Sequence, residues 1–398
     1  MLTFYTKPKN DAGYSNSEIE IDNNYFDEAQ VNKVDVGNTK ILIYNKAKPG
    51  KAPIVINHVK FNASEIQKLH SGTNLKNLIS NSNWQLSGDG FSFLTENSRY
   101  KVNVGAFIIN NNNASLLIKN FTVKPQVNEV AFSKTITHQQ DLYNLEFNNI
   151  QLTDIDTRLL MTQLKLEAAE ANLQPFIKIY RDRTIAEDLS SKVGKYPQQL
   201  MQTIKFPFNI KKINIRNGLI VYTEKAFISQ KIGTVFFKNI NSSISNVTNI
   251  RNVISSNNLL ILDATAGFMG ISKLHSVWKL ALNNSDGNFE ISGSVGGFDA
   301  VSLNPMIEPL GMTSIKKGRV NKLTYNLTGN NYSAKGSETF LYNNLKIEVL
   351  KLDSGDVKKK GLQTFLANAL MKNNNPTNGV TRTEEIDYKR DITKSFLT

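Results

Sequence analysis

The chain has 398 residues, and its 40% hydrophobic and 20% charged residues supply enough apolar material for a sizeable core and exclude disorder throughout. Lysine and arginine number 47 against 34 aspartates and glutamates, and the net charge of +13 favours anionic partners such as nucleic acid, a membrane surface or an acidic glycolipid. The chain has no cysteine, which excludes disulfides, cysteine nucleophiles and thiolate metal sites.

The beginning of the chain gives little indication of its destination. Residues 1–7 lack the long apolar run of a secretory signal, and no stretch of about 18 apolar residues predicts a membrane-spanning helix. We therefore expect either a cytosolic protein or a fragment separated from an export or anchor segment, and composition leaves both alternatives open.

Alternating apolar and polar residues are the dominant pattern and predict strands with one apolar face. This alternation occurs at residues 18–22, 101–104, 278–283, 288–291, 322–327 and 345–349. Turn signals lie between such segments, at Asn217-Gly218, Asp286-Gly287 and Gly296-Gly297. Many short strands at close spacing predict a mainly β, antiparallel architecture.

Helical signals are sparse. Residues 197–204 predict a short helix with Pro197 in its first turn, and residues 361–372 place their apolar side chains at helical spacing. Residues 161–171 fit either a helix or a strand, and the neighbouring strands favour the strand. Residues 373–383 are rich in asparagine and contain proline and glycine, which predicts a loop.

The residue types that usually carry chemistry are scattered. No metal-ligand spacing links the histidines, so we predict no metal site and no cofactor; they are His58, His70, His138 and His275. Residues 178–183 look like part of a kinase catalytic loop, but no glycine-rich loop or Asp-Phe-Gly motif accompanies them. We interpret their charges as a local ion-pair cluster. Because no cluster of acid, base and nucleophile is visible, we predict that the protein is not an enzyme.

Short basic runs occur at residues 211–212, 316–317 and 358–360. Such runs are typical of solvated strand edges, although they could also contact phosphates. Nucleic-acid binding would need aromatic side chains interleaved with basic ones on one platform, and no compact motif of that kind is present. We therefore do not expect nucleic acid as a partner.

An ordered series of motifs covers about residues 120–390. Its members are IKIYRD at 177–182, KVGKYP at 192–197, FPFNI at 206–210, INIRNGLIVY at 213–222, GTVFFKNI at 233–240, ISNVTN at 244–249, a segment at 293–309 with LNPM at 303–306, KGR at 317–319, Gly336, YNNLK at 342–346 and a tail at 365–378. In this order the motifs resemble the AsmA-like envelope proteins of Gram-negative bacteria. The C-terminal region of that family contains a strand, a glycine turn, a second strand and an Asn-Pro pair, in this order. No single motif is catalytic, and the specificity of the resemblance comes from the order.

The resemblance implies a fold, a location and a role. AsmA-like proteins are held in the inner membrane by one N-terminal helix and project into the periplasm, where their β-sheet curls into an elongated groove with an apolar interior. They are implicated in the movement of phospholipid toward the outer membrane and in envelope integrity. This chain departs from the family in lacking the N-terminal helix and in ending at Thr398, where relatives continue, as a truncated fragment would.

We therefore expect a mainly β fold in which a long antiparallel sheet curls into an elongated apolar groove, with a few short helices. Residues 1–190 are expected to form an N-terminal β region and residues 191–398 an AsmA-like C-terminal β region with a short terminal helix and tail, unless the two are one continuous domain. The expected role is binding or conducting phospholipid between the two membranes in support of outer-membrane assembly. The alternative is a structural or assembly scaffold without lipid transport.

The expected partners are phospholipid or another anionic lipid, a membrane surface and other envelope proteins. An apolar sheet face must be covered by a second layer, a membrane or a bound lipid, and alternation alone does not separate a closed core from an open groove. The candidate lipid-binding residues occupy apolar positions of neighbouring C-terminal strands: Leu280, Leu282, Ile291, Leu323, Tyr325, Leu327, Ile347 and Val349.

Overall fold

The computed structural model describes residues 2–6, 28–45, 50–66, 69–70, 79, 81–353, 356–359 and 372–396. The protein is mainly β, with 59% strand and 12% helix, and it contains a large mixed sheet and a few short helices. The β class predicted from alternation is therefore confirmed. Two of the predicted elements, the strand at 18–22 and the helix at 361–372, lie outside the described residues, apart from Lys372.

The strands are β1 (Leu2–Thr6), β2 (Glu28–Ala29), β3 (Lys33–Asn45), β4 (Ile54–Ser64), β5 (Leu69–His70), β6 (Asn83–Gly88), β7 (Phe91–Leu94), β8 (Tyr100–Val104), β9 (Phe107–Asn110), β10 (Ser115–Pro125), β11 (Asp141–Thr153), β12 (Leu166–Asp182), β13 (Phe208–Lys225), β14 (Ile232–Thr248), β15 (Leu259–Phe268), β16 (Ser272–Ala281), β17 (Phe289–Val295), β18 (Phe298–Asp299), β19 (Thr313–Gly329), β20 (Ser333–Asp353), β21 (Asp356–Lys359) and β22 (Glu384–Lys389). The helices are α1 (Glu129–Thr135), α2 (Thr157–Gln163), α3 (Pro197–Gln202), α4 (Arg251–Ser256) and α5 (Asn304–Gly311), with a 3₁₀ turn at Ala300–Leu303 before α5.

The chain forms two compact units from interleaved segments. Unit 1 comprises Met1–Gln126, Glu146–Gln174 and Phe206–Ile213, and unit 2 comprises Val127–Leu145, Pro175–Lys205 and Asn214–Thr398. The two β regions predicted from the sequence, 1–190 and 191–398, stay a prediction.

Unit 1 contains the antiparallel pairs β3–β4, β4–β6, β6–β9, β9–β10, β8–β10 and β7–β8. Strand β1 instead pairs in parallel with β3, with Phe4 opposite Ile43. The sheet is thus mixed rather than wholly antiparallel as expected. Alternation could not reveal this, because parallel and antiparallel ladders share the same side-chain period of two.

Two apolar clusters form the core of unit 1. One surrounds Trp84, which is 4% exposed, and the other surrounds Ala171, which is 2% exposed. Leu160 of α2 packs against both clusters. The helix begins where the side chain of Asp156 accepts a hydrogen bond from the backbone N–H of Leu159 at 2.8 Å. The strand favoured for residues 161–171 is therefore wrong up to Gln163 and right from Leu166 onward.

Unit 2 contains an antiparallel series in the order β14, β15, β16, β17, β19, β20 and β22. One apolar cluster lies around Val320, packed by the 3₁₀ turn and α5, and another lies around Leu280, packed by Tyr196 at the start of α3 and by Ile254 of α4. The predicted short helix beginning at Pro197 is confirmed as α3. The predicted loop at 373–383 is also confirmed, because its described residues carry only isolated bridges.

The predicted turns had different outcomes. Gly296-Gly297 separates β17 from β18, but both strands pair with β19 in the same direction, so the chain does not reverse there and this predicted turn is wrong. Gly287 has a φ of 72° in the β16–β17 connection, so the turn predicted at Asp286-Gly287 is confirmed. Asn217, however, adopts a φ of 50° in the middle of β13, so the predicted turn at Asn217-Gly218 is wrong. Asparagine tolerates the left-handed region, and inside a strand that continues on both sides this conformation produces a bend rather than a hairpin.

Candidate functional site

One face of the unit 2 sheet carries a continuous row of apolar side chains. Trp278 of β16 lies opposite Ile291 of β17, and Ile291 lies opposite Leu327 of β19. The row continues through Gly336 of β20 to Ile386 of β22. Opposite residues in a ladder point to the same face, so the side chains of four strands form one apolar surface, with the bare backbone of Gly336 between Leu327 and Ile386.

This surface forms the floor of a cavity of about 380 Å³. Its apolar walls are Trp278, Phe289, Ile291, Leu327, Ile386 and Phe396. The volume falls in the range typical of small-molecule sites, which are concave and mostly apolar with few polar groups.

The C-terminal segment covers one side of the cavity. The ring of Phe396 lies 5.7 Å from Trp278, 5.2 Å from Phe289 and 4.8 Å from Tyr196, measured between ring centroids. Edge and tilted contacts of this kind add to the stabilisation that comes from burial. Tyr196 is 3% exposed and is held in place by its hydroxyl, which donates to the carbonyl oxygen of Asn330 at 3.1 Å.

The polar atoms of two cavity-lining aromatics are directed to one serine. Trp278 Nε1 and the Tyr325 hydroxyl both donate to Ser276 Oγ, at 2.8 and 3.0 Å, and Ser276 donates to the carbonyl oxygen of Ser292 at 3.1 Å. Because these donors are already satisfied, the two rings present their apolar surfaces to the cavity.

Gly293 explains why Tyr325 fits against the floor. Gly293 lies within β17 opposite Tyr325. A Cβ atom at Gly293 would come within 2.4 Å of the Tyr325 hydroxyl oxygen and 2.5 Å of the His275 carbonyl oxygen. A side chain here would displace Tyr325 and remove its bond to Ser276, so glycine is required for close approach rather than for a turn.

Arg390 is the cation at the wall of the cavity, and it is only 7% exposed. Its guanidinium donates to the Ser395 carbonyl oxygen at 3.0 Å and to the Tyr388 hydroxyl at 3.4 Å, and it lies over the ring of Tyr196 at 5.4 Å. These partners are all neutral. Within the part of the chain that the structure describes, no carboxylate forms an ion pair with Arg390. Tyr388, in contrast, is 48% exposed, so this side of the cavity faces solvent.

The structure separates the eight residues proposed from the sequence into three groups. Ile291, Tyr325 and Leu327 line the cavity. Leu280 and Leu282 are 4% and 5% exposed and belong to the closed core beside it. The remaining three lie away from the cavity: Leu323 and Ile347 pack against the Val320 cluster, and Val349 is half-buried opposite Thr313.

Several residues of the site were not predicted from the sequence, namely Phe289, Ile386, Tyr388, Arg390 and Phe396. Trp278 was part of a predicted strand but was not named as a site residue. Alternation at 384–389 is weak, and nothing local to Arg390 or Phe396 indicates that they meet β16 and β17. An arginine placed among aromatic residues near the end of the chain was the only available signal.

A second polar group lies at the ends of β11, β12 and β13 in unit 2. Arg181 donates from Nε and Nη2 to the two carboxylate oxygens of Asp141 at 2.7 and 2.9 Å. Arg183 Nε lies 3.0 Å from Glu224 Oε2, and Lys225 Nζ lies 3.8 Å from the buried Asp182. The ion-pair cluster predicted from residues 178–183 is confirmed.

The pKa shifts in this cluster reflect its pairing. Burial would lower the pKa of Arg181, but the hydrogen bonds and charge of Asp141 outweigh it and raise that pKa. Burial would raise the pKa of Asp182, but hydrogen bonds from the hydroxyl and backbone N–H of Thr184, together with Ser133 and Lys225, lower it. Each charge is thus stabilised by a partner, which is the pattern of a structural network and not of a group poised to titrate near neutrality.

The loop between β13 and β14, residues 226–231, projects apolar side chains at the same sheet end. Phe227 is 68% exposed and Ile228 is 60% exposed. The loop itself is fixed, because the hydroxyl of the buried Ser229 donates to the Pro309 carbonyl oxygen at 2.7 Å and the N–H of Ala226 donates to the Lys231 carbonyl oxygen at 2.9 Å. The two neighbouring side chains form a small exposed apolar patch on an ordered loop.

The described residues contain no group of three or more histidine, aspartate or glutamate side chains arranged to hold a metal ion. Among the same residues, no helix combines the length and the hydropathy needed to cross a membrane. In comparisons with known proteins, no family model, no curated protein and no solved structure matches the chain.

Proposed function

We propose that the protein is a non-enzymatic lipid-binding protein of the bacterial envelope, and that the cavity on the β16–β22 face is its binding site. The observation that carries the proposal is the cavity of about 380 Å³ with apolar walls and one buried guanidinium. The residues lining it provide aromatic and aliphatic surface, the hydroxyl of Tyr388 and a cation. They include no carboxylate or imidazole that could act as a general base.

The energetics favour a hydrocarbon chain as the occupant. Each methylene that leaves water for an apolar site contributes about 0.8 kcal/mol, so a chain can bind without any special polar chemistry. The cavity suits one acyl chain better than a whole two-chain phospholipid. An elongated groove that holds further lipid along the sheet, as the AsmA-like resemblance implies, remains part of the proposal.

The resemblance to AsmA-like proteins also supports the cellular location that we propose. An AsmA-like protein would lie in the periplasm, anchored to the inner membrane, and would bind or conduct phospholipid toward the outer membrane. The order of the motifs between residues 177 and 378 is the basis for this part of the proposal.

A membrane surface is the second partner that we propose. Phe227 and Ile228 supply apolar side chains for the interface, and the exposed Lys231 beside them can reach lipid phosphates. The nearby carboxylates of Asp182 and Glu224 are paired with Lys225 and Arg183, so they oppose an anionic surface less than free carboxylates would.

Solvent extraction of the purified full chain followed by mass spectrometry tests the proposal. We expect lipid to be recovered from the wild-type protein and to be reduced by Leu327→Trp, which fills the cavity. The matched control is Leu117→Trp in unit 1, where the original side chain is already 44% exposed. Absence of lipid from the wild-type protein, together with failure to bind added lipid, would favour the scaffold alternative.

A further inference from the structure

Arg390 has an unusual environment for a buried charge. Arg390 is only 7% exposed, yet every partner of its side chain among the described residues is neutral. Burial of an unpaired charge is costly, and buried charges in proteins are normally paired. A guanidinium carries five N–H donors, and within the described part of the chain Arg390 donates two side-chain hydrogen bonds and lies against the ring of Tyr196.

The carboxylates nearest in sequence are engaged elsewhere. Asp387 pairs with Lys335 at 3.1 Å, and Asp391 accepts hydrogen bonds from the N–H and hydroxyl of Thr393 at 2.9 and 2.7 Å. Neither supplies the missing negative charge. Among the residues that the structure describes, Arg390 is therefore a cation at the cavity wall without a paired carboxylate.

We propose that the cavity recognises a single-chain amphiphile with an anionic oxygen head, a carboxylate or a phosphate, and that Arg390 binds this head. This inference rests on the proposed lipid-binding function and specifies its ligand class. The chain of the amphiphile lies between Trp278, Ile291 and Leu327, which are apolar and have no polar atom available. The head lies at the side where Tyr388 is exposed, so it remains close to water while it accepts hydrogen bonds from the guanidinium.

The chemistry of the two groups is complementary. Guanidinium binds carboxylate and phosphate through paired, charge-assisted hydrogen bonds, which are stronger than neutral ones. A neutral head of the same size would leave the cation unpaired, and a cationic head would be repelled. Among amphiphiles with the same hydrocarbon chain, the binding affinity should therefore depend on the charge of the head, because the chain contributes the same binding free energy in each.

Isothermal titration of the full-length chain with decanoate, decyl phosphate, decanol and decyltrimethylammonium, each below its micelle concentration, tests the inference. We expect at least one of the two anions to bind the wild-type protein about tenfold or more tightly than decanol, and the ammonium to bind most weakly. The anion that binds more tightly identifies the head as a carboxylate or a phosphate.

Arg390→Gln should reduce the affinity for the anions to that for decanol while leaving decanol itself unchanged. Arg216→Gln removes the same charge from an exposed position and should change neither. If Arg390→Gln does not fold, Arg390→Lys and the wild-type series remain decisive. Equal binding of all four probes by the wild-type protein would overturn the role of Arg390 and leave lipid binding intact, whereas binding of none would overturn both.

Discussion

Arg181 holds Asp141 through two parallel hydrogen bonds, from Nε to Oδ1 at 2.7 Å and from Nη2 to Oδ2 at 2.9 Å. The side chains are only 17% and 18% exposed, so little water screens the pair. The pair joins Arg181, the second-to-last residue of β12, to Asp141, the first residue of β11. The pair thereby fixes this end of the sheet. The 226–231 loop emerges from the same end, because the backbone N–H of Arg183, just after β12, donates to the carbonyl oxygen of Lys225, the last residue of β13, at 2.9 Å.

Removal of one partner of this pair should be strongly destabilising. We expect Asp141→Asn to lower the free energy of unfolding by about 3 kcal/mol, because it leaves a half-buried guanidinium without its counter-charge. Chemical denaturation measures the effect. The exposed pair Lys279–Glu290, at 3.0 Å, is the control, and Glu290→Gln should cost less than about 1 kcal/mol. Equal costs for the two variants would contradict the structural role of the Arg181 pair.

Acid should weaken the same sheet end through Asp182. Its pKa is lowered in the folded protein, so its contribution to stability is present above the unfolded value of about 3.9 and is lost as pH falls through the folded value. We expect Asp182→Asn to reduce stability at pH 7 by about 1 to 3 kcal/mol and to have progressively less effect below pH 4. Urea denaturation of both proteins across pH 3 to 7 is the measurement, and a pH-independent difference would contradict the assignment.

Two leucines of β19 should respond differently to the same substitution. Leu323 packs against the Val320 cluster, so we expect Leu323→Asp to leave a buried charge and to lower stability by more than about 3 kcal/mol. Leu327 faces the cavity, so Leu327→Asp should remove bound lipid with a smaller loss of stability. Melting temperature and lipid content are read together for each variant. If both variants unfold and the wild-type protein never carries lipid, the cavity is a core defect and not a site.

The 226–231 loop should contribute to membrane association. We expect Phe227→Ser combined with Ile228→Ser to reduce binding to vesicles containing anionic phospholipid about tenfold or more, because two apolar side chains no longer enter the interface. Stability should change by less than about 0.5 kcal/mol, since both side chains are already exposed.

The matched control for the loop is Val380→Ser, which removes another exposed apolar side chain, 66% exposed, from a different part of unit 2. Vesicle flotation at low and physiological salt separates the apolar contribution from the charge contribution, because only the latter is screened. Unchanged flotation of the double variant would remove the loop from the proposed membrane contact.

The local elements of this protein follow from local sequence. Alternation at 101–104, 288–291 and 322–327 predicted β8, β17 and β19, because each side chain in a strand points to the face opposite its neighbour. Pro197 marked the beginning of α3 because its fixed backbone angle suits the first helical turn. The charges of 178–183 indicated an ion-pair cluster, although the partner Asp141 lies 40 residues away and could not be named.

Only the tertiary structure decided which apolar positions are core and which line a cavity. Leu280 and Ile291 have the same alternation, yet Leu280 is covered by Tyr196 and α4 while Ile291 faces open volume. The difference depends on what lies above the sheet, and those covering residues come from distant parts of the chain. Periodicity records the face of a side chain but not the layer placed on that face, and for the same reason it could not place Arg390 and Phe396 at the site.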